Sequence, residues 1–330
     1  MSNHANPTIS VIIPVHRRRK EFFMEAVESV LSQTLEHRFF EVILVRDYQD
    51  EDSKILLESW GLRVLTIFDD TLVGKLYHAL TESKGEVISL LEDDDRFHPR
   101  KLEEVWKAFL FNPHLNYYHN AVQEIDGKGE YLNYKPASPS TTLIRSETFS
   151  LKDYRTLLKC SANFNPSSIS IRASMLNDRT LVRREASTAF DLFLFFRALS
   201  MPGIVLHDNK RLTEYRVHGS TSKIQASDMK SMMKRGFEIY SGHVQALETL
   251  RSGIGSKAMP AYECSLSYNR GWKVFYSDDG RKIKFEMLRA VIYSTSKVRN
   301  FTHLQLMFWL SLSVISIRFR ELFFRFVRDR

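Results

Sequence analysis

The sequence predicts an α/β protein: a mostly parallel, twisted sheet with helices on both faces, extended by a helical C-terminal region. Three observations carry this expectation. Apolar, β-branched runs alternate with helix-period segments through the first third of the chain. Three of those runs end in clusters of polar residues. Beyond Ser222 only helical patterning remains.

The elements follow in order. TISVIIPV (8–15) is a continuous apolar run closed by proline, the pattern of a buried strand. Over 21–33 apolar residues recur at helical spacing, with Phe22, Ala26, Val27, Val30 and Leu31 on one side. FFEVILVRD (39–47) is a second buried strand, Ser53 is placed to cap a helix reaching Trp60, and RVLTIF (63–68) is a third strand. The segment 71–84 predicts a helix closed by Gly85. EVISLLEDDD (86–95) is a fourth strand, and Pro99 opens a helix over KLEEVWKAFL. Further on, DGKG between 115–123 and 130–134 signals a hairpin, KPASPSTT (135–142) a loop and SSISIR (167–172) a strand. TAFDLFLFFRALS (188–200) is a mostly buried helix, and GIVLHD and RLTEYRVHG (203–219) are strands.

A chain of 330 residues, 43% of them hydrophobic, can bury a full core. Its two cysteines, Cys160 and Cys264, exclude a disulfide scaffold and suit a reducing, intracellular compartment. MSNHANPTISVIIPVHRRRK holds no basic segment followed by a long apolar stretch, so no signal peptide is expected. The net charge is +8, and residues 281–330 contain eleven Lys/Arg against three Asp/Glu. The excess therefore sits in the last fifty residues, which points to a local anionic partner, lipid headgroups or nucleic acid.

In an open parallel sheet, ligands bind beyond the carboxyl ends of the strands. Three such ends carry polar clusters here, at 14–19, 47–52 and 92–95. The last, within LLEDDDRFHP (90–99), is the most acidic. Like charges at the rim of a buried sheet are costly unless a cation neutralises them. A hard divalent ion bridging phosphate oxygens does so with one or two carboxylates. The alternative is a solvated acidic turn capping the helix at Pro99.

The stretches TISVIIPVHRR, SVLSQTLEHRFFEVILVRD, SKGEVISLLEDDDRFHPRKLE, FDLFLFFRAL and YRVHGSTS, in this order and spacing, resemble the inverting family 2 glycosyltransferases with the GT-A fold. The resemblance implies a Rossmann-like, nucleotide-sugar-binding catalytic domain over 1–222 and a helical region over 223–330. It implies transfer of a sugar, with inversion, from a nucleotide-diphosphate donor to a hydroxyl acceptor, a lipid-linked or cell-envelope glycan. The implied cofactor is Mn²⁺ or Mg²⁺. By the match to the family's D-x-D signature, Asp94 is the metal ligand and Glu92 faces the donor ribose or sugar. Asp93 stands at the variable position, by the nucleotide and expected to be solvated, and Asp95 supports the turn. Asp47 reads the base, with Arg46 in place of the family's first acid. Pro14, Val15 and His16 line the nucleotide and Arg17 reaches phosphate, beside a solvated basic loop at Arg18 and Arg19. Lys75 stands where the family often places a basic contact near the nucleotide, with a plain surface lysine as the alternative. His218 completes the metal's coordination and Arg216, on the same strand face, holds phosphate. Asn163 and Ser167 line the acceptor side or serve a turn.

Asp191 lies among Phe, Leu and Ala, where burial raises a carboxyl pKa toward that of a competent base. It matches the acid of the family's E-D helix, with Phe190 in place of the Glu. The resemblance gives it the proton of the acceptor hydroxyl; the alternative is a structural pair with Arg197 or Arg216.

The tail FTHLQLMFWLSLSVISIRFRELFFRFVRDR begins at Phe301. Its uncharged stretch, 304–317, falls short of the roughly 20 residues that span a bilayer. Phe319, Leu322, Phe323 and Phe326 then alternate with Arg318, Arg320, Arg325 and Arg328, as in an amphipathic helix lying on an anionic membrane. The expected location is the cytoplasmic face of the membrane. The alternatives are a helix packed on the catalytic domain and a contact between copies in a homo-oligomer. Nucleic acid is not expected, because the basic residues gather beside an apolar segment and do not spread along a groove. Two other functions stay open. A sugar nucleotidyltransferase calls for a Gly-rich basic loop after the first strand, which PVHRRRKEF lacks. A catalytically decayed module with a membrane-binding tail is kept open by Arg46, Glu92 and Phe190.

Overall fold

The computed structural model describes residues 8–16, 20–132, 140–176, 189–217 and 228–277, with Trp309, Leu322 and Phe323. Among the described residues its centre is a nine-stranded sheet ordered, from one edge, Arg63–Thr66, Phe40–Arg46, Ile9–Pro14, Val87–Leu90, Ile169–Arg172, Leu115–Ile125, Ile204–Arg216 and Arg96–Phe97, with Thr142–Arg145 also pairing to Ile204–Arg216. The first four strands are β1 (Ile9–Pro14), β2 (Phe40–Arg46), β3 (Arg63–Thr66) and β4 (Val87–Leu90). They run parallel, as the sequence predicts, with Ile12 opposite both Ile43 and Leu90. Alternate residues feed two cores. Ile12, Ile43, Val45, Ile88 and Leu90 face one side, while Val11, Ile13, Val42 and Leu44 face the other. Burial on both faces explains why these strands read as unbroken apolar runs.

Helices α1 (Lys20–Leu31), α2 (Glu51–Ser59), α3 (Leu72–Glu82) and α4 (Lys101–Phe111) connect the strands. Leu76, Ala79 and Leu80 of α3 enter the first core; Val27 and Val30 of α1, with Val105 of α4, enter the second. Two expected caps differ. Asp50, not Ser53, caps α2 by accepting from the Ser53 amide at 3.2 Å. Helix α3 ends at Ser83 in extended backbone, and Gly85 is needed for a different reason. A Cβ there would lie 2.4 Å from the Ser10 backbone nitrogen, so the glycine allows a close approach to β1.

The second half of the sheet is mixed. The two-residue β5 (Arg96–Phe97) is antiparallel to β9 (Ile204–Arg216), and β8 (Ile169–Arg172) is antiparallel to both β4 and β6 (Leu115–Ile125). The segment expected to form two strands over 203–219 is one continuous strand through Arg216. Besides β5, β7 (Thr142–Arg145) and α5 (Leu151–Lys159) carry no prediction, the latter opened by a Ser150/Asp153 capping box. The expected hairpin around DGKG forms: Ile125 bridges Tyr131 antiparallel, the Asp126 amide donates to the Glu130 carbonyl at 2.9 Å and the Leu132 amide to the Glu124 carbonyl at 3.0 Å.

The Phe190–Ser200 helix is almost wholly buried, as its composition predicts. Two long helices, Met229–Leu250 and Met259–Phe275, pack against each other, and their Val244, Leu247, Tyr262 and Leu266 join the core that holds Phe193 and Phe196. The boundary expected near 222 falls outside the described residues. So does most of the tail. Phe323, expected on a membrane-facing side, is instead buried: with Trp309 it packs against Trp272, its ring also 5.0 Å from that of Phe275. Leu322 is exposed. Among the described residues no helix is long and apolar enough to cross a membrane.

Candidate functional site

The carboxyl ends of β1, β2 and β4 meet at one rim. Pairing of β1 with β2 continues past Pro14, where the Val15 amide donates to the Val45 carbonyl at 2.8 Å. The next amide, of His16, donates to Asp93 Oδ2 at 2.5 Å. In the first turn of α3 the Lys75 ammonium group is buried, donating to the Val15 carbonyl at 2.9 Å and lying 2.8 Å from Asp47 Oδ1. Burial pushes the Asp47 carboxyl up, but the Lys75 bond and charge outweigh it and hold the group below the usual range. Six predicted residues, Pro14, Val15, His16, Asp47, Lys75 and Asp93, thus lie together. Two readings are corrected. Lys75 is no surface lysine, and Asp93 is not solvated but 2% exposed. Arg46 is also buried: its guanidinium donates to Ser53 Oγ and the Asp50 carbonyl, both at 2.6 Å, and lies over the Tyr48 ring. It holds the start of α2 in place.

Beyond Leu90 the chain leaves the sheet and turns, with the Asp95 amide on the Glu92 carbonyl at 3.2 Å. Asp93, Asp94 and Asp95 are all buried and Glu92 partly so, which overturns the solvated-turn alternative. Carboxylates are tolerated there because the surrounding backbone and amides face them. Asp95 accepts from the Arg216 amide at 2.8 Å and from Asn165 Nδ2 at 3.2 Å. Burial, and next the charge of Asp94, push Asp95 up to about 7. Glu92, Asp94 and Asp95 each present a carboxylate oxygen within 4.8 Å of the others. Three hard oxygen donors gathered this closely fit a hard divalent cation.

Arg216 and Ser167 have other work than the resemblance implied. The Arg216 side chain has no exposed surface; it donates to the Asp94 carbonyl at 2.7 Å and to Glu25 at 2.6 Å. It braces the acidic turn from behind, and its guanidinium is not presented to a phosphate. Ser167 is likewise buried, and its hydroxyl accepts from the Glu92 amide at 3.0 Å, fixing the same turn.

Asp191 stands in the first turn of the Phe190–Ser200 helix, bonded to the Leu192 amide at 2.8 Å. Its carboxyl is raised, chiefly by burial, against the opposing charge of His243 and the amides that face it, that of Asn165 among them. The alternative pairing with arginine is not found: Arg197 donates to the Met175 carbonyl and Arg216 lies in the acidic turn. Phe190 stacks on Phe193 and helps line a small cleft with Pro14, Leu76, Glu92 and Pro166. One cleft therefore touches the end of β1, the acidic turn and the helix of Asp191. Asn163 lies half-buried in the turn before Asn165. Arg17 and His218 lie outside the described residues.

Sequence reasoning missed three supports. Lys101 is fully buried and donates to Asn120 Oδ1 and, at 3.2 Å, to the Ser167 carbonyl; burial lowers its pKa to about 7. His119 faces His207, Nδ1 to Nδ1 at 2.9 Å, with its Nε2 on the Phe164 carbonyl at 3.0 Å. Asn165 bonds Asp95, and the next residue, Pro166, lines the cleft with Phe190. Only Asn165 had a signal, since Asn-Pro-Ser-Ser announces a side-chain-stabilised turn; Lys101 sits in the charged run KLEE and looks solvated.

Residues 10–178 match the family described as Glycosyl transferase family 2. An uncharacterized glycosyltransferase of Haemophilus influenzae is 26% identical over 282 residues, 84% of this chain and 91% of that protein. Another, MJ1057 of Methanocaldococcus jannaschii, is 23% identical over 145 residues, 39% of this chain and 47% of that protein. Among solved structures, S. aureus TarS 1-349 in complex with UDP-GlcNAc aligns with a TM-score of 0.59 at 14% identity, over 98% of this chain and 90% of that one. Its complex with UDP aligns with a TM-score of 0.52 at 15% identity, over the same 98% and 90%. At these identities the likeness is one of fold.

Proposed function

The chain belongs to Glycosyl transferase family 2, and on that premise we propose that this glycosyltransferase moves a sugar, with inversion, from a nucleotide-diphosphate donor to a hydroxyl acceptor. It has the GT-A fold, with the catalytic unit over 1–222 and the helical region over 223–330. The observation that supports the donor is the rim itself: Asp47, the β1 end and the acidic turn share one network of bonds beside one cleft. The family resemblance and the UDP and UDP-GlcNAc complexes of TarS agree with a sugar nucleotide there.

Each residue then has a chemical task. Asp47, kept ionised by Lys75, accepts from a ring N–H of the base. The backbone at Val15 and His16 lines the nucleotide, with Arg17 toward its phosphates. Asp94 with Glu92 and His218 would hold Mn²⁺ or Mg²⁺, with Asp95 supporting the turn. Such an ion, when bound, offsets the negative charge that builds on the departing diphosphate. Asp191 takes the proton of the acceptor hydroxyl. The freed oxygen pair forms a bond to the anomeric carbon from the face opposite the phosphate. The bond from that carbon to the phosphate oxygen breaks, its electron pair leaving with the nucleoside diphosphate. An α-linked donor gives a β-linked product. The acceptor is a lipid-linked or cell-envelope glycan, and the arginines of 318–330 draw the enzyme to the cytoplasmic face of an anionic membrane.

The test is a panel of UDP- and GDP-sugars, scored for binding and for nucleotide release with and without Mn²⁺. One sugar nucleotide should bind and turn over in an Mn²⁺-dependent manner, and Asp94→Ala should remove that dependence. A panel in which nothing binds would favour the decayed module; binding unchanged in Asp94→Ala would remove the metal assignment.

A further inference from the structure

Asn165 stands where the two sides of the cleft meet. Its backbone has φ 64° and ψ 106°. Positive φ is costly for most side chains and best tolerated by Asn, Asp and Gly. Pro166 after it keeps ψ extended. Asn165 is 2% exposed, and both ends of its side-chain amide have a partner. Nδ2 donates to Asp95 at 3.2 Å, Oδ1 accepts from the Ser167 amide at 2.8 Å, and the carbonyl accepts from the Ser168 amide at 3.0 Å. Its own amide is among the groups that oppose the rise of the Asp191 carboxyl. One residue therefore bonds an acid of the 92–95 turn with its side chain and lies by the acid of the Phe190–Ser200 helix with its backbone.

The segment is held from behind as well. His119 bonds the Phe164 carbonyl, Lys101 bonds the Ser167 carbonyl, and the Ser167 hydroxyl takes the Glu92 amide. Pro166 and Phe190, the neighbours of Asn165 and Asp191, line the same cleft. The acidic turn and the Asp191 helix come from distant parts of the chain, and the Asn165–Pro166 pair lies between them.

We propose that Asn165 is a positioning residue: it sets the register between the acidic turn that holds the donor and the carboxylate of Asp191 that receives the acceptor's proton. This rests on the roles given above to Asp94 and Asp191. In-line attack needs the two groups aligned to a few tenths of an ångström, and a small misplacement costs rate without costing affinity.

Asn165→Gly tests it, because glycine keeps the positive φ and the backbone amide while deleting the bond to Asp95. Asn165→Asp is the companion: it keeps the bond to the Ser167 amide but sets a second carboxyl against Asp95 in place of the amide donor. With the sugar nucleotide that turns over in the panel above, both variants should lose about 10- to 100-fold in kcat. KM and the Kd for UDP with Mn²⁺ should stay within about threefold of wild type. A wild-type kcat in Asn165→Asp, whatever the glycine variant does, would make Asn165 a turn former only and overturn the proposal. A Kd raised in step with the loss of kcat in either variant would also overturn it. If the glycine variant does not fold, the aspartate variant decides alone. Failure of the underlying reading looks different: the wild-type enzyme itself would turn over no sugar nucleotide.

Discussion

Lys75 closes on Asp47. Its Nζ lies 2.8 Å from Asp47 Oδ1 and donates to the Val15 carbonyl at 2.9 Å, so one ammonium group ties the ends of β1 and β2 to α3. Lys75→Met fills the same space without the charge. It leaves a carboxylate and a carbonyl without this donor, a loss of roughly 2 kcal/mol. Urea unfolding measures that loss, and UDP affinity should fall with it as Asp47 becomes easier to protonate. A change below about 0.5 kcal/mol would mean the pair is as weak as a surface ion pair.

Asp191→Asn keeps the shape of the side chain and its place at the helix start but removes the proton acceptor. Sugar transfer should fall by about 10²- to 10⁴-fold, the usual contribution of a general base. UDP titrated calorimetrically in the presence of Mn²⁺ should bind as to wild type. Undiminished turnover would take the base role from Asp191.

The His119–His207 pair makes an acid-labile spot. Burial, then for His119 the neighbouring His207, lowers the pair to about 3 for His119; burial lowers His207 to about 4, against an opposing pull from Asp208. Both folded values lie below the ordinary 6.5 of an unfolded imidazole. The unfolded chain therefore binds more protons as pH drops from 6.5, and folded stability is lost progressively toward pH 4 and below. With both rings contributing, the slope reaches about 2.7 kcal/mol per pH unit. His207→Gln should roughly halve it, read from unfolding free energies between pH 6 and 4. An unchanged slope would mean that other groups set the acid limit.

Gly85→Ala adds a Cβ that would meet the Ser10 nitrogen at 2.4 Å, a backbone atom in the middle of the sheet. It also threatens the bond from the Gly85 amide to Ser10 Oγ, 2.8 Å long. The expected cost is about 1–3 kcal/mol, the range for overpacking a tight interior. A melting curve against wild type checks it. A silent substitution would show that β1 and the loop before β4 can separate freely.

What the sequence could determine was local or periodic. The strands β1 to β4 were legible because burial on both faces demands unbroken apolar runs. The Phe190–Ser200 helix was legible because an apolar helix leaves few places for Asp191 except inside. The acidic turn was visible as a cluster whose charge called for an explanation. Tertiary contact decided what each of those charges does. Asp93 is buried on the His16 amide, Lys75 is folded inward onto Asp47, and Arg216 and Ser167 brace the turn from within; Asp95 is held by Asn165. A side chain's hydrogen-bond partner comes from whatever element the fold carries past it, often far away in the chain, and no spacing along the sequence records that encounter.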